Sequence, residues 1–546
     1  MKIDKNRISD IGVYFLFFVS LCSSQPSAKY RPFDWLLFKE PGSITSISEG
    51  YEFLYIGTSH GGIYRYNLYG NQYGFPITTA QGLDNNNINS VHFDHSTGII
   101  WASSYGSLQY SYTREGDWRI IDLVDIGLRK NDRIVQIGNS KNYIWAKASA
   151  VYVKLDKSSG VLAGIYPMPD EINIIWSSGK YNEQPEIASV LNDYALMSGW
   201  MASGSKLIDG YGRYIDITSG LIGKHNDVWI GTSDGTLFQG NKTMEAMFPT
   251  EFGIRGSNIN ALFHNDEELW IGSKGYDIGR GVTKLNTRTF QSDHFDFDVT
   301  VNMNLTEIHS FYDFDNVLWV GGNSVILVFD KSENYWRTLG EERGLPNTDI
   351  TSMVGDSNYV WIGSYYGVRQ IDRKTKREEP MGFEYLFYNH PVNDLFLNDY
   401  GVWIASRTGI YLYDKNNPQI MNALSIGDSY LDFPVSRVTS IFQQNNLVYF
   451  ATNIGIVVFD KQEKFWDMAI PASDYKGLDV NDILLLGKFC FIATDRGMFR
   501  INLKSKGIRE YNFDFIGSVN TIKNIGKYVW MGTSEGLIRF KWRKDL

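Results

Sequence analysis

The chain repeats itself. An apolar tetrad holding an aromatic residue, then a Ser/Thr-rich turn with Gly, then a second apolar run recurs along almost the whole length. LYIGTSHGGIYRY begins at Leu54, VWIGTSDGTLF at Val228, LWVGGNSVILVFD at Leu318 and VWMGTSEGLIRF at Val529. The aromatic residue falls at Tyr55, Trp101, Trp145, Trp229, Trp270, Trp319, Trp361, Trp403, Tyr449, Phe491 and Trp530. Neighbouring positions lie 39 to 49 residues apart, except for a gap of 84 between Trp145 and Trp229. That gap is two periods, so a degenerate unit is expected in it, DYALMSGWMASGSKLID from Asp193 to Asp209. Eleven clear units and one inferred make twelve. A module of this length cannot bury its apolar face alone and must stack against copies of itself.

The inside of the unit reads as strands. Alternation around the aromatic marks a strand, and the small residue two places later lets a neighbouring sheet approach closely. Polar residues with Gly then form a tight hairpin, Gly supplying positive φ. Upstream, a loop ending in a polar residue leads into an Ile-led strand: GLDNNNINSV from Gly82, GIRGSNINAL from Gly253, GLPNTDITSM from Gly344 and GLDVNDILLL from Gly477. An outer aromatic strand follows some hairpins, as in NYWRTLG from Asn334 and KFWDMAI from Lys464. Four short strands per unit match one blade of a β-propeller, with the Ile-led strand innermost and the aromatic strand next to it. No segment keeps a helical period. The expected fold is therefore all-β, a β-propeller protein of about twelve four-stranded blades in two rings of about six. Residues 25–295 would form an N-terminal propeller and 296–546 a C-terminal one, with the strand in 33–38 (FDWLLF) closing the C-terminal ring.

Lys2, Lys5 and Arg7 precede the apolar run IGVYFLFFVSL, and Cys22, Ser23 and Ser24 precede Pro26. This order describes a secretory signal peptide over residues 1–24, and the run is too short for the roughly 20 residues of a membrane span. Lipidation of Cys22 is a competing reading that Leu21, standing where a small residue is usual, disfavours. The protein is thus expected in the periplasm, on the cell surface or secreted, with no transmembrane span. A net charge of −9 and no basic run argue against nucleic acid. Beyond the leader Cys490 stands alone, between apolar residues, as a buried inert thiol. No metal-ligand spacing occurs, so no metal and no cofactor are expected.

The consensus GLPxxxIxxI…LWIGTxxGLxxFD resembles the two-component regulator propeller repeat, which Gly344 to Asp372 reproduces almost letter for letter. The resemblance covers nearly all of the chain after the leader. Bacteria carry such repeats in the sensory portions of hybrid histidine kinases and in stand-alone exported proteins. The resemblance therefore implies a sensor-like ectodomain that binds a ligand, here without a signalling domain. WD and kelch signatures fit less well, and SDGT at Ser233 lacks the Trp of a sialidase Asp box.

Propellers commonly meet ligands where the loops before the inner strands and the hairpin turns gather. Here those loops and turns offer Asn85, Asn86, Asn87, Ser257, His60, Asp234 and Glu535 among others, most of them residues that turns favour for their own backbone bonding. The preferred ligand-binding set is Tyr365, Tyr366, Arg407, Asn347, Asp349, Asp495 and Arg496, whose amides, charges and rings suit a glycan or peptide. His294, Asp296 and Asp298 alternate with Phe295 and Phe297 and read as a solvated face opposite a buried one. No catalytic constellation occurs in context, so a non-enzymatic protein binding a glycan, a peptide or an envelope protein is expected. The rival readings are a carbohydrate-active lyase or glycosidase, and an accessory of envelope assembly or secretion.

Overall fold

The computed structural model describes residues 30–546 apart from 112–115, 181–186, 188–190, 192–193, 225–226, 242, 244, 275–280, 298–306, 340–347, 388–389, 416, 430 and 432–433. The leader, Asn347, Asp298 and the loop opening at Gly344 lie outside the described residues. Strands dominate, and they form eleven sheets among the described residues, eight of them four-stranded. In chain order these are sheet 1 (44–73), sheet 2 (88–122), sheet 3 (136–166), sheet 4 (214–250), sheet 5 (258–295), sheet 6 (308–339), sheet 7 (350–379), sheet 8 (392–422), sheet 9 (440–471), sheet 10 (480–511) and sheet 11 (519–540). No helix among them is long and apolar enough to cross a membrane.

Sheet 7 shows how one unit folds. Its strands Ile350–Gly355, Tyr359–Ser364, Gly367–Asp372 and Glu378–Glu379 pair in sequence order, all antiparallel. Trp361 is buried on the second strand and packs with Val392, Leu395 and Val402 of sheet 8. The small residue after each aromatic is where the next sheet arrives. A Cβ on Gly272 would stand 2.4 Å from Ile308 Cγ2, one on Gly321 2.6 Å from Ile350 Cγ2, and one on Gly363 2.9 Å from Val392 Cγ1. The Ser or Thr that follows closes the hairpin by donating its hydroxyl to the carbonyl of the turn glycine. Thr452 does so to Gly455 at 2.8 Å and Thr533 to Gly536 at 2.9 Å. Both glycines have φ near +140°, a region β-carbon-bearing residues avoid.

A bulge near the start of the first strand turns a polar side chain toward the next sheet. Ser352 Oγ accepts from Leu395 N at 3.1 Å, Asp394 Oδ2 accepts from Ile441 N at 2.9 Å, and Asp482 Oδ2 accepts from Ile522 N at 2.9 Å. These bonds tie sheets 7 to 8, 8 to 9 and 10 to 11.

The first strands pack in cyclic order. Those of sheets 5 to 11 each touch the next, and that of sheet 11 touches that of sheet 5, where Ile259 fills the space beside Gly532. Sheets 4, 1, 2 and 3 follow one another in the same manner, Ile44 filling the space beside Gly231. The sheets therefore divide four and seven, and sheet 5 joins the group that follows it. Its leading Ile259 packs beside the last sheet, which the expected six-and-six division near residue 295 could not anticipate. The unit expected over Asp193 to Asp209 forms no separate sheet among the described residues. Met201–Ser203 and Lys206–Ile208 form a hairpin added to the Tyr214–Ile222 strand of sheet 4. Met201–Ser203 is exposed throughout, so it has no apolar face with which to wedge between two neighbours.

Two crossings join the groups, one through residues 39–43 and one through 251–257. Trp35–Phe38 pairs antiparallel with Gly536–Phe540 as the fourth strand of sheet 11. Trp35 is fully buried and stacks on Phe540, with ring centroids 3.7 Å apart. In the smaller group a short segment runs through the middle. Ile175–Trp176 pairs with sheet 3 and Gly179–Lys180 with sheet 4. Between them Ser178 N donates to Ile47 O of sheet 1 at 3.0 Å, and Ser177 Oγ lies 3.3 Å from Ser90 Oγ of sheet 2. One segment thus touches the first strand of all four sheets.

Candidate functional site

The tips of the second hairpin in each sheet and the loops before the first strands emerge on the same side. Where the chain crosses between the groups, tips and loops from both enclose a cavity of about 1110 Å³. The first crossing supplies Lys39, Glu40, Gly42 and Ser43, and the second supplies Arg255 and Ser257. Turns and loops of the smaller group add Ser59, His60, Asp84, Asn85, Asn86, Asn87 and Asp234, while the larger group adds Asp296, Asp514, Phe515 and Glu535. The wall is polar.

Its cations are tied down. Lys39 Nζ donates to the Glu535 carbonyl at 2.7 Å and meets its carboxylate at 3.1 Å. Arg213, carried from the smaller group by the turn before Tyr214–Ile222, spans Asp209 at 2.6 Å and Asp296 at 2.9 Å. Burial opposes the charge on Arg213, but these two carboxylates hold its guanidinium more firmly protonated than usual. Arg255 is largely buried; its Nη1 donates to the Asp234 carbonyl at 3.0 Å and its Nε stands 3.7 Å from Asp296. Asp296 is thus shared by an arginine from each side of the junction.

Behind this wall lies Glu251, which accepts the His294 N–H at 3.2 Å. Burial, aided by the charges of Asp234 and Asp296, pushes the Glu251 carboxyl up to about 7 against the pull of Arg255. Burial and Arg255 push His294 well below its usual range, so its ring is neutral, with Nδ1 3.1 Å from Thr283 Oγ1. The expected solvated face for His294 and Asp296 is corrected: Asp296 turns in to pair with two arginines, and the neutral His294 ring turns in beside Thr283.

The preferred sequence-based set lies elsewhere. Tyr365 and Tyr366 stand half exposed at the hairpin tip of sheet 7, Arg407 at that of sheet 8, and Asp495 and Arg496, 3.8 Å apart, at that of sheet 10. Asp349 directly precedes the first strand of sheet 7. None of these six lines the large cavity. Of the wider set of loop and turn residues, His60, Asn85, Asn86, Asn87, Asp234, Ser257 and Glu535 do. Lys39, Arg213, Arg255 and Asp514 carried no sequence signal, since each falls outside the repeated motif or in its most variable part. No cluster of three or more His, Cys, Asp or Glu able to hold a metal ion occurs among the described residues.

Eleven sheets of mostly four antiparallel strands, packed in cyclic order by their first strands, define an all-β protein of propeller-like build. No protein-family model and no curated protein matches the chain. Among solved structures, the fold is similar to that of PorZ, an essential bacterial surface component of the type-IX secretion system of Porphyromonas gingivalis. The TM-score is 0.56 at 12% identity, over 93% of this chain and 87% of that one. The extracellular domain of BT4673 from B. thetaiotaomicron, described as a one-component system, matches more loosely. Its TM-score is 0.43 at 13% identity, over 91% of this chain and 69% of that one.

Proposed function

We propose that this chain is an exported, non-enzymatic β-propeller protein, with rings of four and seven blades, that holds a polar ligand in the cavity where its two groups of sheets meet. The observation that carries the reading is the cavity itself, whose wall is drawn from both crossings and from the tips of both groups. Concave polar sites at such junctions are the usual places for recognition. The likeness of fold to a bacterial surface component supports a place outside the cytoplasm, as does the leader-like start of the sequence.

The test is isothermal titration of the full chain with a panel of hexapeptides and hexasaccharides of positive, neutral and negative charge. Two variants fill the cavity from exposed positions, Ser257→Trp and Asn87→Trp. Binding to the parent that both variants abolish, with unchanged melting temperature, is the expected result. Binding that survives in both variants refutes the cavity as the site, and chemical turnover of any panel member refutes the non-enzymatic part.

A further inference from the structure

The charge on the cavity wall specifies its ligand more narrowly, on the assumption that the cavity is the binding site. Three cations line it, Lys39, Arg213 and Arg255, against the six carboxylates of Glu40, Asp84, Asp234, Asp296, Asp514 and Glu535. Each of the three cations is already answered: Lys39 by Glu535, Arg213 by Asp209 and Asp296, and Arg255 by Asp296. Three of the carboxylates are not. Among the described residues Asp84's carboxylate takes the Ser107 hydroxyl alone, at 2.9 Å on Oδ2. Asp234 takes the Thr232 hydroxyl and the Thr236 N–H, both on Oδ1. Asp84 and Asp514 are exposed. No salt bridge among the described residues reaches Asp84, Asp234 or Asp514. An anion entering here would meet surplus negative charge, and a cation would relieve it.

Size and texture narrow the choice again. At about 1110 Å³ the cavity is larger than the roughly 300–1,000 Å³ typical of small-molecule sites, so it suits a length of chain. Among the described residues the wall carries no Trp or Tyr, and its one Phe, Phe515, is only 4% exposed, so no flat apolar face is offered to a sugar ring. Exposed amides at Asn85 and Asn87 offer both donors and acceptors, the pairing that a peptide backbone needs.

We infer that the cavity receives an extended basic peptide segment, whose Lys or Arg side chains meet Asp84, Asp234 and Asp514 and whose backbone is held by Asn85 and Asn87. The full chain is titrated with hexalysine, Nε-acetylated hexalysine, hexaglutamate and maltohexaose. Hexalysine is expected to bind, and acetylation to weaken it at least tenfold. Asp84→Asn and Asp514→Asn are each expected to weaken it about fivefold, the upper end for a solvent-accessible ion pair. Both residues are exposed, so the fold should survive, and unchanged melting temperatures check that.

Absence of hexalysine binding, or equal binding of its acetylated form, overturns the inference, as does indifference to both aspartate substitutions. If hexaglutamate or maltohexaose binds instead and Ser257→Trp abolishes it, the cavity stands as the site and its assigned ligand falls. If hexalysine binding survives both Ser257→Trp and Asn87→Trp, the site itself is wrong.

Discussion

The close approach of Ile308 to Gly272 is the contact on which the stacking of sheet 6 against sheet 5 turns, and it can be tested by filling it. Gly272→Ala places a methyl 2.4 Å from Ile308 Cγ2 and 2.7 Å from its Cβ, well inside van der Waals contact. Ile308 is 2% exposed, enclosed in the core between the two sheets. Overpacking of this kind costs about 1–3 kcal/mol. Ile308→Ala removes the opposing side chain and costs about 2–5 kcal/mol by leaving a cavity. In the double variant the new methyl enters space the isoleucine has vacated. Its cost should fall below the sum of the two single costs by at least about 1 kcal/mol. Gly507→Ala serves as control, because the nearest atom to its Cβ would be Ser505 Oγ at 3.5 Å; it should stay within about 0.5 kcal/mol of the parent. Urea unfolding of the full chain, followed by tryptophan fluorescence, measures the parent and all four variants. Additive single costs, or a neutral Gly272→Ala, would refute the claim that the repeated glycine exists to admit the next sheet.

Four other outcomes follow from the same structure. Trp35→Ala should cost about 3–5 kcal/mol, as for other fully buried Trp truncations, and should raise amide exchange in Gly536–Phe540, read by mass spectrometry. Ser178→Ala leaves the Ile47 N–H, now bonded at 2.6 Å, without its acceptor, and a loss of about 1–3 kcal/mol is expected by thermal melting. Burial, with the nearby Asp482 charge, pushes the Asp394 carboxyl up to about 6 against the hydrogen bonds from Ile441 and Ser352. Asp394 therefore binds more proton in the folded state than in the unfolded one between about pH 4 and 6, so its own contribution to stability should fall by about 2–3 kcal/mol as pH rises through that window. Asp394→Asn should reduce the fall in stability across that window by this amount relative to the parent, as melts at half-unit pH steps would show. Burial pushes the Cys490 thiol up to about 12, so iodoacetamide should label it only after unfolding.

The unit was plain in the sequence because its features are local. The aromatic, the glycine two places on and the Thr-Gly hairpin all answer to contacts within one sheet or with the next. The unit inferred from Asp193 to Asp209 is less legible for the opposite reason. Its letters alternate suitably, but whether a hairpin wedges between two sheets or extends one depends on neighbours far away in the chain. Ser177 and Ser178 gave no sign of their place either, since two buried serines look like any loop until the four strands around them are known. The cavity was half legible. Loops before inner strands supply Asn85, Asn87 and Ser257 to its wall, and a hairpin turn supplies Asp234. Arg213 escaped notice because its partner Asp296 lies across the junction between the groups, and Arg255 because Asp296 stands some forty positions further along the chain.

The pairing of Trp35–Phe38 with Gly536–Phe540 has a consequence for how the chain comes to be folded. Lys39 and Glu535, which seal that pairing, are 496 positions apart. A chain made or exported from its N-terminus carries four apolar residues, WLLF, with no partner until almost everything else has emerged. The smaller group, lying between those two strands in sequence, can gather itself early, but the larger one stays unlatched throughout. Such late, long-range closure is slow and leaves a sticky strand on offer to other chains. Early stops in synthesis should therefore yield aggregates rather than shorter folded proteins.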